Sequence, residues 1–158
     1  TLKLRASGED YLEAILVLQR QKGMVRSVDV ARHLEVSKPS VCHAVATLRE
    51  GGFLTMDSDY FLHLTDVGRE VAERTYEKHC FFTRLLVEAG VEPKTAEQDA
   101  CRMEHAISDD SFQKINRHSP YLSITLHKCY PYYLFGISTF PNSAYHSIAL
   151  RKFSITIV

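Results

Sequence analysis

Between residues 27 and 51 two short helical patterns follow each other across a turn of only a few residues. In the first, Val30, Ala31 and Leu34 recur at helical spacing after Ser27, a candidate N-cap. Glu35-Val36 makes the turn. Ser37 then caps the second pattern, which has Pro39 in its first turn, Val41, Val45 and Leu48 as its apolar stripe, and Gly51-Gly52 at its end. So tight a turn is what a helix-turn-helix needs. Two such helices bury little by themselves, so the flanking segments must complete the core. Upstream, residues 8–22 read as an amphipathic helix with Leu12, Ile15, Leu16 and Leu18 inward and Gly23 as its stop. Downstream, Phe53–Met56 and Tyr60–Leu64 flank a polar Asp57-Ser58-Asp59 turn and read as a β-hairpin. Thr65-Asp66 open a long helix to about residue 89. Pro93 starts another to about Ile107, and Ser108 caps a last one to about Arg117. The expected fold is mainly α: a winged helix-turn-helix unit over residues 1–65, then a helical unit over 66–117.

The chain has 158 residues, enough for one ordinary domain or two small ones. All 19 carboxylates lie before residue 118, while residues 118–158 carry half of the aromatics. Position 118 is therefore a composition boundary. The tail reads either as a small β segment or as sequence not selected for folding, as an out-of-frame translation would give, and the second is favoured. His127 and Cys129 there are weak metal candidates, and the tail is assigned no function. A net charge of zero excludes a generally basic nucleic-acid coat but leaves room for a local basic face. No apolar run is long enough for a membrane span, and no secretory signal opens the chain, so a cytoplasmic protein without membrane contact is expected. Cys42, Cys80, Cys101 and Cys129 form no C-x-x-C pair, which argues against a zinc ribbon or a disulfide framework.

A recognition helix offers its N-terminal, outward residues to DNA. Here those are Ser37, Lys38, Pro39, Ser40 and His43, with Arg26 placed to approach a phosphate. Asp57 and Asp59 would repel phosphate, so the wing tip is assigned no strong DNA contact. A second constellation carries metal chemistry. Cys101-x-x-Glu104-His105 sets three ligand types at i, i+3 and i+4 on one helix face, and a solvated face seldom carries a Cys. Asp10-x-x-Glu13 sets two carboxylates on the first helix, and His79 lies on the long helix. Thiolate, carboxylate and imidazole together suit a first-row transition metal.

Five motifs in order now carry a resemblance: Glu9-Asp10-Tyr11-Leu12-Glu13, Ala31–Leu34 through Ser37–Val41, Leu64–Gly68, Lys78-His79 and Asp99–Ser108. Over residues 8 to about 117 the chain resembles the metal-dependent transcriptional repressors of the diphtheria-toxin-repressor and manganese-transport-regulator family. The resemblance implies a winged-helix DNA-binding domain and a helical dimerisation domain with metal held between them. It implies the ligand set Asp10, Glu13, His79, Cys101, Glu104 and His105. It further implies a homodimer on a palindromic double-stranded operator, repressing metal-uptake genes. Asp10 and Glu13 match the manganese branch, whereas Cys101 matches the iron branch. A soft thiolate disfavours Mn(II), so Fe(II) is favoured narrowly over Mn(II), with Co(II) and Zn(II) as further candidates. The iron branch's ancillary carboxylate is replaced by Thr83, and Glu97 is expected on a solvated face. The rival readings are a winged-helix regulator without a metal switch, a pure dimerisation module and a metal-dependent hydrolase. No H-E-x-x-H, G-x-S-x-G or P-loop supports the last.

Overall fold

The structure is a computed structural model that describes residues 6–118, all within one compact unit. The tail beyond 118, with His127 and Cys129, lies outside the described residues. Six helices and one hairpin follow in order: α1 (Ala6–Lys22), α2 (Ser27–His33), α3 (Lys38–Glu50), β1 (Leu54–Met56), β2 (Leu62–Leu64), α4 (Asp66–Glu88), α5 (Pro93–Ala106) and α6 (Asp109–His118). The architecture is the expected one, mainly helical with a two-stranded wing.

The helix termini follow local chemistry. Ser37 caps α3 by accepting from the Ser40 amide at 3.3 Å, and Thr65 caps α4 by accepting from the Gly68 amide at 3.1 Å. Ser108 accepts from the Ser111 amide at the start of α6. One cap differs from expectation. Ser27 is already helical, and the cap of α2 is Arg26, whose backbone N–H donates to Asp29 Oδ2 at 2.8 Å. The Asp29 carboxylate at the third helical position reaches back to the cap amide, while the Arg26 carbonyl accepts from the Asp29 and Val30 amides.

The first helix also differs. It is buried at every position from Leu12 to Leu18, so it has no solvent stripe over its central turns. It packs on α2, α3, β2 and α4, which enclose it. Its far end is tied to the wing: Gln19 Nε2 donates to the Leu62 carbonyl at 2.9 Å, and the Leu62 amide donates to the Val25 carbonyl at 2.8 Å. The hairpin is antiparallel with Leu54 opposite Leu64 and Met56 opposite Leu62. Asp57 shapes its turn, accepting from the amides of Asp59 and Phe61 and meeting His63 Nε2 at 2.8 Å. That His63 bond, ahead of the amides, holds the Asp57 carboxyl below its usual range.

The long helix α4 lies along α5 and also against α1. Phe81, Phe82, Ala100 and Phe112 make a second core there, flanked by Met103 and Ile107. Phe81 meets Phe82 and Phe112 edge-on, with ring centroids 5.3 and 5.4 Å away. The α5–α6 joint is pinned by Lys78, whose Nζ donates to the Ile107 carbonyl at 3.2 Å and pairs with Asp109 at 2.6 Å.

Candidate metal centre

Three helices converge on one point between these cores. The first turns of α1 bring Glu9, Asp10 and Glu13, the middle of α4 brings His79, and the last turns of α5 bring Cys101, Glu104 and His105. Their ligand atoms form two groups that share Glu104: Asp10, Cys101, Glu104 and His105 in one, and Glu13, His79 and Glu104 in the other. Within each group the ligand atoms lie within 4.8 Å of one another. All six residues named from the sequence are thus brought together.

The hydrogen bonds join the helices directly. His105 Nε2 lies 2.6 Å from Asp10 Oδ1, and its Nδ1 lies 2.7 Å from Glu9 Oε2. His79 Nδ1 lies 2.8 Å from Glu104 Oε2. Glu104 and Glu13 are 2% and 7% exposed, and each has one oxygen, Oε1, with no hydrogen-bond partner. His105 Nε2 is 3.2 Å from Glu104 Oε1, farther than its 2.6 Å contact with Asp10 Oδ1.

A buried carboxylate with an orphaned oxygen is costly in its charged form. Burial pushes both Glu13 and Glu104 well above the usual carboxylate range. For Glu13, His79 offsets part of that rise and the neighbouring acids Glu104 and Asp10 add to it. The Cys101 thiol is pushed up to about 12, by burial and then by the charges of Glu104, Asp10 and Glu13. Burial works against charge on His105, but its bonds to Glu9 and Asp10 outweigh that and raise it. The centre therefore carries more acid than it can ionise unaided. A divalent cation lying among carboxylates, imidazoles and a thiolate would offset that charge. The orphaned oxygens and the donor types fit such an ion.

One neighbouring residue differs from expectation. Glu97, expected on a solvated face, is half-buried, and burial raises its carboxyl while the nearby His79 lowers it. Thr83, one turn after His79, has a buried hydroxyl without a hydrogen-bond partner. Two residues in and beside the centre went unassigned in the sequence. Glu9 appeared only as part of a motif, although it shares a face with Glu13 at i, i+4. Lys78 was read only as the neighbour of His79, yet it is buried.

The DNA candidates form a separate surface. Ser37, Lys38, Pro39, Ser40 and His43 are all exposed, at and beyond the start of α3. The Ser37 and Ser40 hydroxyls are 2.7 Å apart. Arg26 is exposed as well, with its guanidinium 4.4 Å above the Phe61 ring, so it reaches the wing.

Residues 3–60 match the iron dependent repressor N-terminal DNA binding domain, and residues 65–128 match the iron dependent repressor metal binding and dimerisation domain. The chain belongs to the iron-dependent repressor family. The second match runs to 128, past the composition boundary at 118. The chain is 35% identical to the transcriptional regulator MntR of Escherichia coli O6:H1 over 103 residues, covering 65% of this chain and 66% of that protein. It is 30% identical to an uncharacterised HTH-type transcriptional regulator of Methanocaldococcus jannaschii, over 68% of this chain and 87% of that one. A solved manganese-dependent transcriptional repressor in complex with manganese superposes with a TM-score of 0.59 at 26% identity, covering 70% of this chain and 51% of that one. This member of the iron-dependent repressor family thus spans about half of that solved chain and just under two thirds of MntR. No helix among the described residues is long and apolar enough to cross a membrane.

Proposed function

We propose that this chain is a metal-responsive DNA-binding regulator, a repressor of metal-uptake genes, and not an enzyme. One observation carries the reading: the ligand set draws on α1 of the DNA-binding half and on α4 and α5 of the dimerisation half. Asp10, Glu13, His79, Cys101, Glu104 and His105 would hold the ion, and Glu104 would serve both groups. Bound there, a divalent cation supplies positive charge that lets Glu13, Glu104 and Cys101 ionise together. Sharing that ion, Asp10 and Glu13 on α1, His79 on α4 and Cys101, Glu104 and His105 on α5 would hold the three helices together and favour one arrangement of the DNA-binding half, a population shift set by differential affinity. A homodimer then presents two α3 helices to a palindromic operator with half-sites about one helical turn, or a multiple of it, apart. Ser37, Lys38, Pro39, Ser40, His43 and Arg26 form the proposed DNA face. Cys101 favours Fe(II) over Mn(II) by softness, while Asp10, Glu13 and Glu104 favour the harder ion. The matched manganese-dependent repressor keeps Mn(II) close behind Fe(II), with Co(II) and Zn(II) as further candidates.

The test is fluorescence anisotropy with a palindromic operator of the family type, under anaerobic, reducing conditions at one salt concentration. Operator binding should appear with Fe(II) or Mn(II) and vanish in Cys101→Ala and Glu104→Ala. Equal binding in the presence of chelator would refute the switch and leave a winged-helix regulator with another signal or none.

A further inference from the structure

Consecutive residues of α1 grip the two nitrogens of one imidazole. Glu9 Oε2 is 2.7 Å from His105 Nδ1, and Asp10 Oδ1 is 2.6 Å from Nε2. Asp10 Oδ1 and Glu104 Oε1 lie on the Nε2 side, at 2.6 and 3.2 Å, and Glu9 is outside both ligand groups. The two nitrogen lone-pair directions of an imidazole diverge, so Glu9 sits on the side of the ring turned away from the centre. A ring that ligates through Nε2 must carry its proton on Nδ1, and the partner at Nδ1 decides whether it does.

Resting on the metal-centre reading above, we propose that Glu9 is a positioning residue for metal binding: it accepts the Nδ1–H of His105 and so fixes the tautomer and ring orientation that turn Nε2 toward Asp10 and Glu104. Glu9 holds no metal itself. Its contact spans 96 positions of sequence and ties the first turns of α1 to the last turn of α5. The Glu9 side chain is 30% exposed, whereas the ring it holds is 13% exposed. Its truncation leaves the core intact, so its effect falls on the ring.

Full-length wild type, Glu9→Ala, Glu9→Gln and Glu104→Ala are titrated with Co(II) and followed by visible absorption against a competing chelator. The His105 ring nitrogens are followed by ¹⁵N NMR with Zn(II). Glu9→Ala should bind Co(II) about 10–100-fold more weakly, with the Nδ1–H signal of the Zn(II) form shifted or lost. Glu9→Gln keeps an amide oxygen as acceptor and should recover most of the affinity and the wild-type ring signal. A merely structural role would not move the ring nitrogens. Wild-type affinity and ring signals in Glu9→Ala would overturn the proposal, as would equal losses in Glu9→Gln and Glu9→Ala, which would make Glu9 a ligand. Absence of Co(II) uptake by the wild type would overturn the metal centre and this proposal together. Uptake that is lost in Glu104→Ala but unchanged in Glu9→Ala would overturn this proposal alone.

Discussion

Gly68→Ala sets helix propensity against close packing, and the two have opposite signs. Within a helix, Gly to Ala is favourable by up to about 1 kcal/mol. Gly68 is not one of the positive-φ glycines, so no backbone conformation demands it. A Cβ at this position would, however, lie 1.9 Å from the Phe53 carbonyl oxygen and 2.8 Å from its carbon. Carbon–oxygen contacts settle at about 3.3 Å, so the start of α4 would have to retreat by roughly 1.4 Å. Both obstructing atoms are backbone, so no rotamer relieves the clash. The retreat would break the Thr65 amide bond to the Phe53 carbonyl and the Thr65 hydroxyl bond to the Gly52 carbonyl. Each is worth about 1 kcal/mol, and the residual overpacking about 1–3 kcal/mol. After the propensity gain, the net loss is about 2–4 kcal/mol, or a fall in Tm of roughly 10 °C. Urea unfolding of the metal-free protein measures it, with the exposed Glu70→Ala in the same turn as a control expected within about 0.5 kcal/mol of wild type. A Gly68→Ala protein as stable as wild type, or more so, would refute the close approach of α4 to the wing.

Four further outcomes are expected. Metal affinity should rise with pH from about 5 to 8, because Glu13, Glu104, Cys101 and His105 all have raised values and must shed protons to ligate; Co(II) titrations across that range that show no pH dependence would contradict this. Without metal the sign reverses for stability. The folded state holds protons on Glu13 and Glu104 above their ordinary 4.5 and on His105 above 6.5, so stability is greatest below those values and is lost as pH rises through the folded ones. Thermal melts with chelator should therefore show Tm falling from pH 5 to 8, and excess metal should flatten the slope. Lys78→Met keeps the aliphatic stem but removes the donor to the Ile107 carbonyl and leaves Asp109 with Arg74 alone, and should cost about 1–3 kcal/mol by urea unfolding. Ser37→Ala should lose about 1 kcal/mol as a lost cap, which Ser37→Asp restores; operator binding measured alongside should stay weak in Ser37→Asp, since a carboxylate there faces phosphate.

Local signals made most of the architecture readable. Ser37, Thr65 and Ser108 mark helix starts by chemistry that acts within four residues, and the stripe Val41, Val45 and Leu48 is buried as its spacing implies. The six candidate ligands were legible through i, i+3 and i+4 spacing combined with the family's motif order. What escaped depends on distant neighbours. The burial of α1 on all sides follows from the elements around it, which its own periodicity does not encode. Arg26 stands at the cap in place of Ser27, with its amide held by the Asp29 carboxylate. Glu9 and Lys78 entered only as letters of motifs and received no role, since their partners His105 and Ile107 lie 96 and 29 residues away. Glu97 looked solvated for the same reason: His79 stands on another helix.

The first helix has one more consequence. It runs unbroken from Asp10 and Glu13 to Gln19, whose side chain is fastened to the wing, and no glycine or proline interrupts it between those points. At 1.5 Å per residue, its ligand turns and its wing tether are about 10–13 Å apart. A tilt of about 5° at the ligand end would then carry the wing end by about 1 Å, a displacement that hydrogen bonds to DNA register. Under the proposed function α1 would act as a lever with its short, charged handle in the metal centre, and how tightly that handle is clamped would set the precision with which α3 and the wing are aimed.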